Sequence, residues 1–208
     1  MDRLHEEFIS SCKEGDVSKV KELLRNKEID INVRNSYGDT PFIWACSVGN
    51  MEIVELLVSR KNVDFNAENH EDKTAFYWAC INGRVEVVKF LLEIEEVDIN
   101  KSSVTGWSPF MWACFFGFTE IVQWILASRT DINIHTRNWE GKSALEITKQ
   151  RVEDEQKVWE DGAAFKKRQA DCPKIQALLE HYESEPEILR ADLRRKVGLT
   201  SKTFFCKL

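Results

Sequence analysis

Apolar residues recur along the chain in pairs of short helical patterns that return every 34 residues. The first pattern of each pair contains the tripeptide Trp-Ala-Cys, at 44–46, 78–80 and 112–114. The second carries apolar residues on one helical face: Ile53, Val54 and Leu57; Val87, Val88 and Leu91; Ile121, Val122 and Ile125. Self-similarity at such a period predicts a repeat architecture, in which recurring positions hold the stack together and varying positions are free for recognition.

Helix start and stop signals flank the Trp-Ala-Cys segments. A hydroxyl residue suited to a helix N-cap stands at 40, 74, 108 and 143, and Pro41 and Pro109 follow directly at the first helical position. Gly49, Gly83 and Gly117 come after the apolar run and can end it in a left-handed turn. Each unit therefore predicts a turn followed by two antiparallel helices.

The segment TPFIWACSVGNMEIVELL at 40–57 resembles the ankyrin-repeat motif, and the resemblance extends over about residues 4–150, with KIQALLE at 174–180 similar to a last second helix. The resemblance implies an all-α ankyrin-repeat solenoid of four to five stacked helix-turn-helix units with β-turn fingers. The motif histidine is replaced by Ile43, Tyr77 and Met111, and Asp72 replaces a turn glycine, which leaves the geometry of that finger open on sequence grounds.

These patterns divide the chain into four segments. We expect an N-terminal capping repeat at 1–34, three full repeats at 35–136, a C-terminal repeat at 137–183 and a C-terminal helix and tail at 184–208. A charged helical insertion at 151–171 interrupts the last repeat, with Trp159 and Phe165 expected to clasp each other across a turn at 161–162. An apolar stripe is expected to cap the end of the array: Ile188, Leu189, Leu193 and Val197.

The recurring tryptophans and cysteines are predicted to be core residues. The cysteines at 12, 46, 80 and 114 are equivalent in successive units, and helices pack roughly 8–10 Å apart. That spacing exceeds the Cα separation of about 7 Å that a disulfide spans. We therefore expect buried thiols rather than disulfides or metal ligands, and tryptophans packed between repeats.

The sequence contains no phosphate-loop, dinucleotide, zinc-protease or hydrolase-elbow motif, and its four histidines fall in separate units. We therefore predict no enzymatic activity, no metal site and no cofactor. Residues 35–142 hold 15 Asp and Glu against 9 Lys and Arg, which argues against nucleic acid as a partner. There is no apolar run long enough to cross a membrane and no secretory signal, so we expect a cytoplasmic monomer.

The resemblance implies that finger tips and inner helices bind another protein or peptide. The candidate binding residues on these elements are Tyr37, Asp39, His70, Glu71, Lys73, Trp107, Phe115, Phe116, Phe118 and Trp139. Aromatic residues in the third unit replace positions that are usually polar, which favours an interaction surface rimmed by acidic groups. The alternative is that a neighbouring unit or the C-terminal segment covers these rings.

Three alternatives remain open on sequence grounds. The ending SKTFFCKL suggests that the chain is the regulatory ankyrin portion of a larger enzyme or channel. The Asp-x-Asn segments ending at Asn32 and Asn100 resemble ankyrin sites modified by asparaginyl hydroxylases, although they suit a structural turn equally well. The basic triplets at 166–168 and 194–196 allow nuclear import in addition to a cytoplasmic location.

Overall fold

The structure is a computed structural model that describes the backbone of residues 3–153 and 162–199, with side chains for 3–153 and 171–199. The chain divides into two compact units, Met1–Val104 and Thr105–Leu208. The described residues contain eleven α-helices and no strand, which confirms the all-α prediction. The expected aromatic clasp involves Trp159 and the side chain of Phe165, which lie outside the described residues. The segment 200–208 also lies outside them.

Unit 1 contains three helix pairs. They are α1 (Arg3–Glu14) with α2 (Val17–Leu23), α3 (Pro41–Val48) with α4 (Met51–Val58), and α5 (Ala75–Ile81) with α6 (Val85–Leu92). The first helices pack side by side in the order α1, α3, α5, and the second helices α2, α4, α6 form a parallel row behind them. Phe42, Phe76, Ile53, Val54 and Leu57 are buried between the rows, as the apolar periodicity predicts.

Unit 2 contains α7 (Pro109–Phe115), α8 (Thr119–Ser128), α9 (Ala144–Glu153), α10 (Gly162–Ser184) and α11 (Pro186–Lys196). Helix α9 packs against α7 and α10, and α8 packs against α10 and α11. Leu189 and Leu193 of α11 are buried, but Ile188 is 55% exposed and does not join the expected apolar stripe. The buried side chain beside them is Arg190, which donates to the Tyr182 hydroxyl.

The predicted N-caps are present at the start of the first helices. The Oγ atoms of Thr40, Thr74 and Ser108 each accept a hydrogen bond of 3.2 Å from the backbone N–H three residues later. Pro41 and Pro109 occupy the first turn, where a missing N–H leaves nothing unsatisfied. These capping bonds lie at buried positions, so they fix where each first helix begins.

One asparagine closes the finger turn in three of the four fingers. The Oδ1 atom of Asn35 accepts from the N–H groups of Tyr37 and Asp39, both at 2.9 Å. Asn69 and Asn138 do the same for the second and fourth backbone N–H groups after them. An asparagine side chain that mimics a backbone turn in this way stabilises a finger that has no strand to support it.

Neighbouring fingers are joined by one backbone hydrogen bond each. In unit 1, His70 N–H donates to the carbonyl of Tyr37 at 3.0 Å, and Val104 N–H donates to the carbonyl of Glu71 at 3.1 Å. Asp72 takes the place of a finger glycine with a φ of 58°, the left-handed conformation that aspartate tolerates better than most residues. Asp72 therefore adopts the left-handed backbone conformation of the glycine that it replaces.

The Asp-x-Asn segments form a ladder of side-chain hydrogen bonds in unit 1. Asn32 donates through Nδ2 to the carbonyl of Asn62 and accepts at Oδ1 from the N–H of Asp64. Asn66 repeats both bonds one period later, with Glu96 O at 2.6 Å and Asp98 N at 2.8 Å. Each amide thereby ties one repeat to the next.

The three repeating tryptophans are not core residues. Trp44, Trp78 and Trp112 are only half-buried, whereas the alanine and cysteine that follow each are buried. Because a helix turns 100° per residue, Ala45 and Cys46 face the second helices while Trp44 points to the opposite side. The prediction was correct for the cysteines and wrong for the tryptophans.

We expect Gly38→Ala to destabilise the chain more than Gly141→Ala. Both glycines have positive φ, but a Cβ at Gly38 would lie 2.8 Å from His70 Cδ2 and 2.9 Å from His70 N, whereas none of the atoms described lies within 4 Å at Gly141. Backbone strain alone is expected to cost about 1–2 kcal/mol, with roughly 1–2 kcal/mol more at Gly38 for the contact with backbone. Urea unfolding measures both, and equal losses would contradict the close finger packing.

We expect Asn66→Ala to lower the free energy of unfolding by about 1–2 kcal/mol, because two hydrogen bonds between repeats are lost. Asn66→Asp keeps the acceptor for Asp98 N–H but turns a carboxylate oxygen toward the carbonyl of Glu96, so it should not recover the stability that Asn66→Ala loses. The same urea measurement compares the two variants. A wild-type midpoint for Asn66→Ala would show that the ladder contributes nothing.

Candidate functional site

A groove of about 620 Å³ in unit 1 lies between the fingers and the first helices. Its lining comes from α1, two fingers and the half-buried tryptophans: Glu6, Ile9, Ser10, Lys13, Asn35, Tyr37, Asp39, Trp44, Asn69, His70, Glu71 and Trp78. Tyr37 stands at its edge and is 71% exposed. The groove therefore combines an aromatic wall with a polar rim.

Each tryptophan of the unit 1 groove holds a lysine against its ring. Lys13 Nζ lies 4.7 Å from the ring centroid of Trp44, and Lys73 Nζ lies 4.9 Å from that of Trp78. Cations at these distances are attracted by the negative face of the indole. Lys73 also forms an ion pair of 2.6 Å with Glu71, so the polar rim and the aromatic wall are linked.

Asp39 places a buried carboxylate in the same groove. It is 6% exposed, and its two oxygens accept from Asn69 Nδ2 at 2.8 Å and Asn35 Nδ2 at 3.4 Å. No lysine, arginine or histidine of the described residues forms an ion pair with it. Asp39 was predicted as an exposed contact residue, and the structure shows that it is covered because it joins two fingers.

The aromatic cluster of unit 2 consists of Trp107, Trp112, Phe115, Phe116 and Phe118. Trp107 stacks on Trp112 with ring centroids 4.3 Å apart. Phe116 stacks on Trp112 at 5.5 Å and on Phe118 at 5.7 Å. All five rings are half-buried, so each contacts at least one other ring of the cluster and still presents an edge or face to solvent. Arg151 covers part of Phe115, with its guanidinium carbon 4.6 Å from the ring centroid.

Trp139 extends unit 2 at the tip of the last finger. Its side chain is 73% exposed, and its backbone N–H donates to the carbonyl of Thr105 in the preceding finger at 3.0 Å. Lys142 and Glu140 form an ion pair of 2.6 Å on the same finger. A large exposed ring on a hydrogen-bonded finger is held in place by its backbone while its side chain remains available.

The aromatic cluster is associated with an unsatisfied polar group. Asn138 is 5% exposed, and its Nδ2 atom has no hydrogen-bond partner among the residues that the structure describes. The equivalent amide in unit 1, that of Asn69, donates to Asp39 in the preceding finger. The position equivalent to Asp39 in the finger before Asn138 is Trp107, which has no acceptor. The tryptophan has therefore replaced the carboxylate that elsewhere joins two fingers.

The structure separates the sequence-predicted residues into two sets. Tyr37, Asp39, His70 and Glu71 line the unit 1 groove, with Lys73 joined to it through Glu71. The other set is in unit 2 and comprises Trp107, Phe115, Phe116, Phe118 and Trp139. Sequence reasoning missed Trp44, Trp78, Glu6 and Lys13. The two tryptophans directly follow the position of the missing motif histidine. Their buried neighbours in sequence could have indicated that they face away from the core.

The five described cysteines are buried thiols that form no disulfide with one another. Burial raises the pKa of Cys12 to about 12 and raises the pKa of Cys46 and Cys114 well above the ordinary thiol range. Thiolate is therefore scarce at neutral pH, and these side chains behave as small apolar groups. No group of three His, Cys, Asp or Glu able to hold a metal ion occurs among the described residues. Within the same part of the chain, no helix has the length and apolar character needed to span a membrane.

Comparison with known proteins gives one family match. A family model described as ankyrin repeats, with 3 copies, matches residues 8–103 and 62–138. Together these matches cover more than half of the chain and include the aromatic cluster and all of the unit 1 groove lining except Glu6. No curated protein matches the chain.

We expect Trp107→Asp to be about 1 kcal/mol more stable than Trp107→Ala, because a carboxylate there can accept from the orphaned Asn138 amide. Both variants lose the stacking on Trp112, so their difference isolates the hydrogen bond. Urea unfolding provides the measurement. In an Asn138→Asp background the donor is absent, and the advantage of aspartate should disappear or reverse. An advantage that persists there would contradict the proposed pairing.

Proposed function

Since the chain belongs to the ankyrin-repeat family, we propose that it is a non-catalytic scaffold that binds a partner protein or peptide through its finger tips and inner helices. Ankyrin repeats are generally protein–protein interaction modules, and the family is typically non-catalytic. The proposal assigns the binding contacts to the two sets of residues described above, the unit 1 groove and the aromatic cluster with Trp139.

The observation that carries the proposal is that Trp107, a member of the aromatic cluster, takes the place of a carboxylate that would join two fingers. Placing Trp107 where another repeat has Asp39 leaves a buried amide donor unsatisfied, which costs roughly 1–3 kcal/mol. Buried hydrogen-bond donors are normally satisfied, and exceptions of this kind tend to occur at functional sites. Half-buried stacked rings beside an exposed Trp139 also have the composition of interface hot spots, which are enriched in tryptophan.

The contacts of the Asp-x-Asn ladder bear on one alternative. Asn32 and Asn66 use both atoms of their side-chain amides in hydrogen bonds between repeats, so a structural role accounts for them. Modification by an asparaginyl hydroxylase therefore has no separate support from these contacts. The alternative of a regulatory portion within a larger enzyme or channel is compatible with the same binding surfaces.

Affinity capture tests the proposal with matched variants. We expect proteins retained by the wild-type chain to be lost at least about tenfold with Phe116→Ala and Trp107→Asp, since loss of a hot-spot residue costs about 2 kcal/mol or more. Phe65→Ala is the control, because Phe65 is a half-buried ring in unit 1 that lies outside both sets of residues and contacts Phe42.

The stability measurement on the same proteins separates binding from folding. Trp107→Asp removes the ring and supplies the missing acceptor, so a loss of capture by this folded variant cannot be attributed to a disrupted finger. Retention of every captured protein by both folded unit 2 variants would refute the assignment of the aromatic cluster to partner binding.

A further inference from the structure

We propose that the unit 1 groove is a receptor for a cationic side chain of the partner, which inserts between Trp44 and Trp78 and lies within reach of the Asp39 carboxylate. The inference deepens the proposed function and rests on it only for the statement that the partner is a protein or peptide. It identifies the chemistry that this groove recognises.

The charge of the groove favours a cation. Its lining contains three carboxylates, on Glu6, Asp39 and Glu71, and only one lysine, Lys13. Glu71 is neutralised by Lys73, but Asp39 has hydrogen-bond donors and no counter-ion among the described residues. A buried carboxylate without an ion pair is costly unless a cation approaches it. The groove therefore contains a buried carboxylate, that of Asp39, which is 6% exposed and which no cation of the described residues neutralises.

The aromatic wall shows how a cation would be held. Lys13 and Lys73 already lie over the faces of Trp44 and Trp78, so both indoles are oriented to accept positive charge from the groove side. Among the described residues Lys13 forms no ion pair, so its exposed side chain can leave the Trp44 ring without breaking one. A partner's guanidinium is planar and less strongly hydrated than an ammonium group, so it is well suited to replace the lysine on an indole face.

The indoles can also adjust without losing hydrogen bonds. The Nε1 atoms of Trp44 and Trp78 are both buried and have no acceptor in the described part of the chain. Reorientation of either ring around an incoming side chain therefore breaks no existing bond of its N–H group. The groove volume of about 620 Å³ leaves room for one long side chain and part of the attached backbone.

The test compares two peptides that differ only in charge. One is a seven-residue glycine–serine peptide with a central arginine, and the other has citrulline, the neutral isostere, in its place. Binding is followed by nuclear magnetic resonance of the indole N–H groups in nitrogen-15-labelled protein, with the signals assigned from Trp44→Phe and Trp78→Phe. We expect the arginine peptide to shift these two signals, among the seven tryptophans, with a dissociation constant in the millimolar range, and the citrulline peptide to bind at least about fivefold more weakly.

Three substitutions sharpen the result. Asp39→Asn should remove the preference for arginine over citrulline while keeping an oxygen acceptor for Asn69. Glu95→Gln, a loss of the same charge at an exposed position of unit 1 outside the groove, should leave it within about 1.5-fold of wild type. Lys13→Gln should increase affinity for the arginine peptide about two- to threefold, because the competing cation on Trp44 is gone.

Equal shifts with arginine and citrulline, or shifts confined to other tryptophans, would overturn the proposal using wild-type protein alone, whatever the folding of the variants. A fall in affinity on Lys13→Gln would also count against it. Failure here is distinguishable from failure of the proposed function. A captured partner that depends on Phe116 but is indifferent to Asp39→Asn would leave the scaffold role intact and exclude the cation site.

Discussion

The finger asparagine is the interaction on which the rest of the structure depends. Short fingers have no strand partners, so their backbone N–H groups need acceptors from elsewhere. Asn35, Asn69 and Asn138 supply them by closing their own turns through Oδ1. The amide that remains on Asn69 reaches Asp39 in the preceding finger. One side chain thus fixes the shape of a finger and its distance from a neighbour, and that spacing sets the position of the first helices beneath.

The consequence of this arrangement is that recognition residues lie on a rigid frame. In unit 1 the helices α3 and α5 each begin after a capping threonine, so Trp44 and Trp78 project from equivalent points one repeat apart. The side chains that differ between repeats then determine the chemistry of each surface. Glu71 and Lys73 make one finger polar, while Trp107 makes its counterpart aromatic. The same backbone therefore supports an acidic groove and an aromatic cluster.

Much of the fold follows from the sequence because its local signals agree with one another. The 34-residue period, the capping hydroxyls, Pro41 and Pro109 and the apolar faces all predict the same units, and the helices and caps occur where expected. The tryptophans were assigned to the wrong side because recurrence was taken as a sign of burial. Recurrence shows only that a position is equivalent in each unit, whereas the buried residues on either side of Trp44 determine which way it points. The burial of Asp39 could not be predicted from its own segment, since the amide that covers it comes from a residue 30 positions away.

The side-chain hydrogen bonds that link the repeats of unit 1 all span about one period, from Lys21–Glu52 to Arg84–Ser47. The structural effect of a substitution in one finger or turn is therefore expected to reach the adjacent repeat and to weaken beyond it, because each repeat contacts only its neighbours. Such a molecule can diversify piecemeal. A surface may acquire a new specificity by drift at a few exposed positions, while the repeats farther along retain theirs, and successive partners can be accommodated without redesign of the frame.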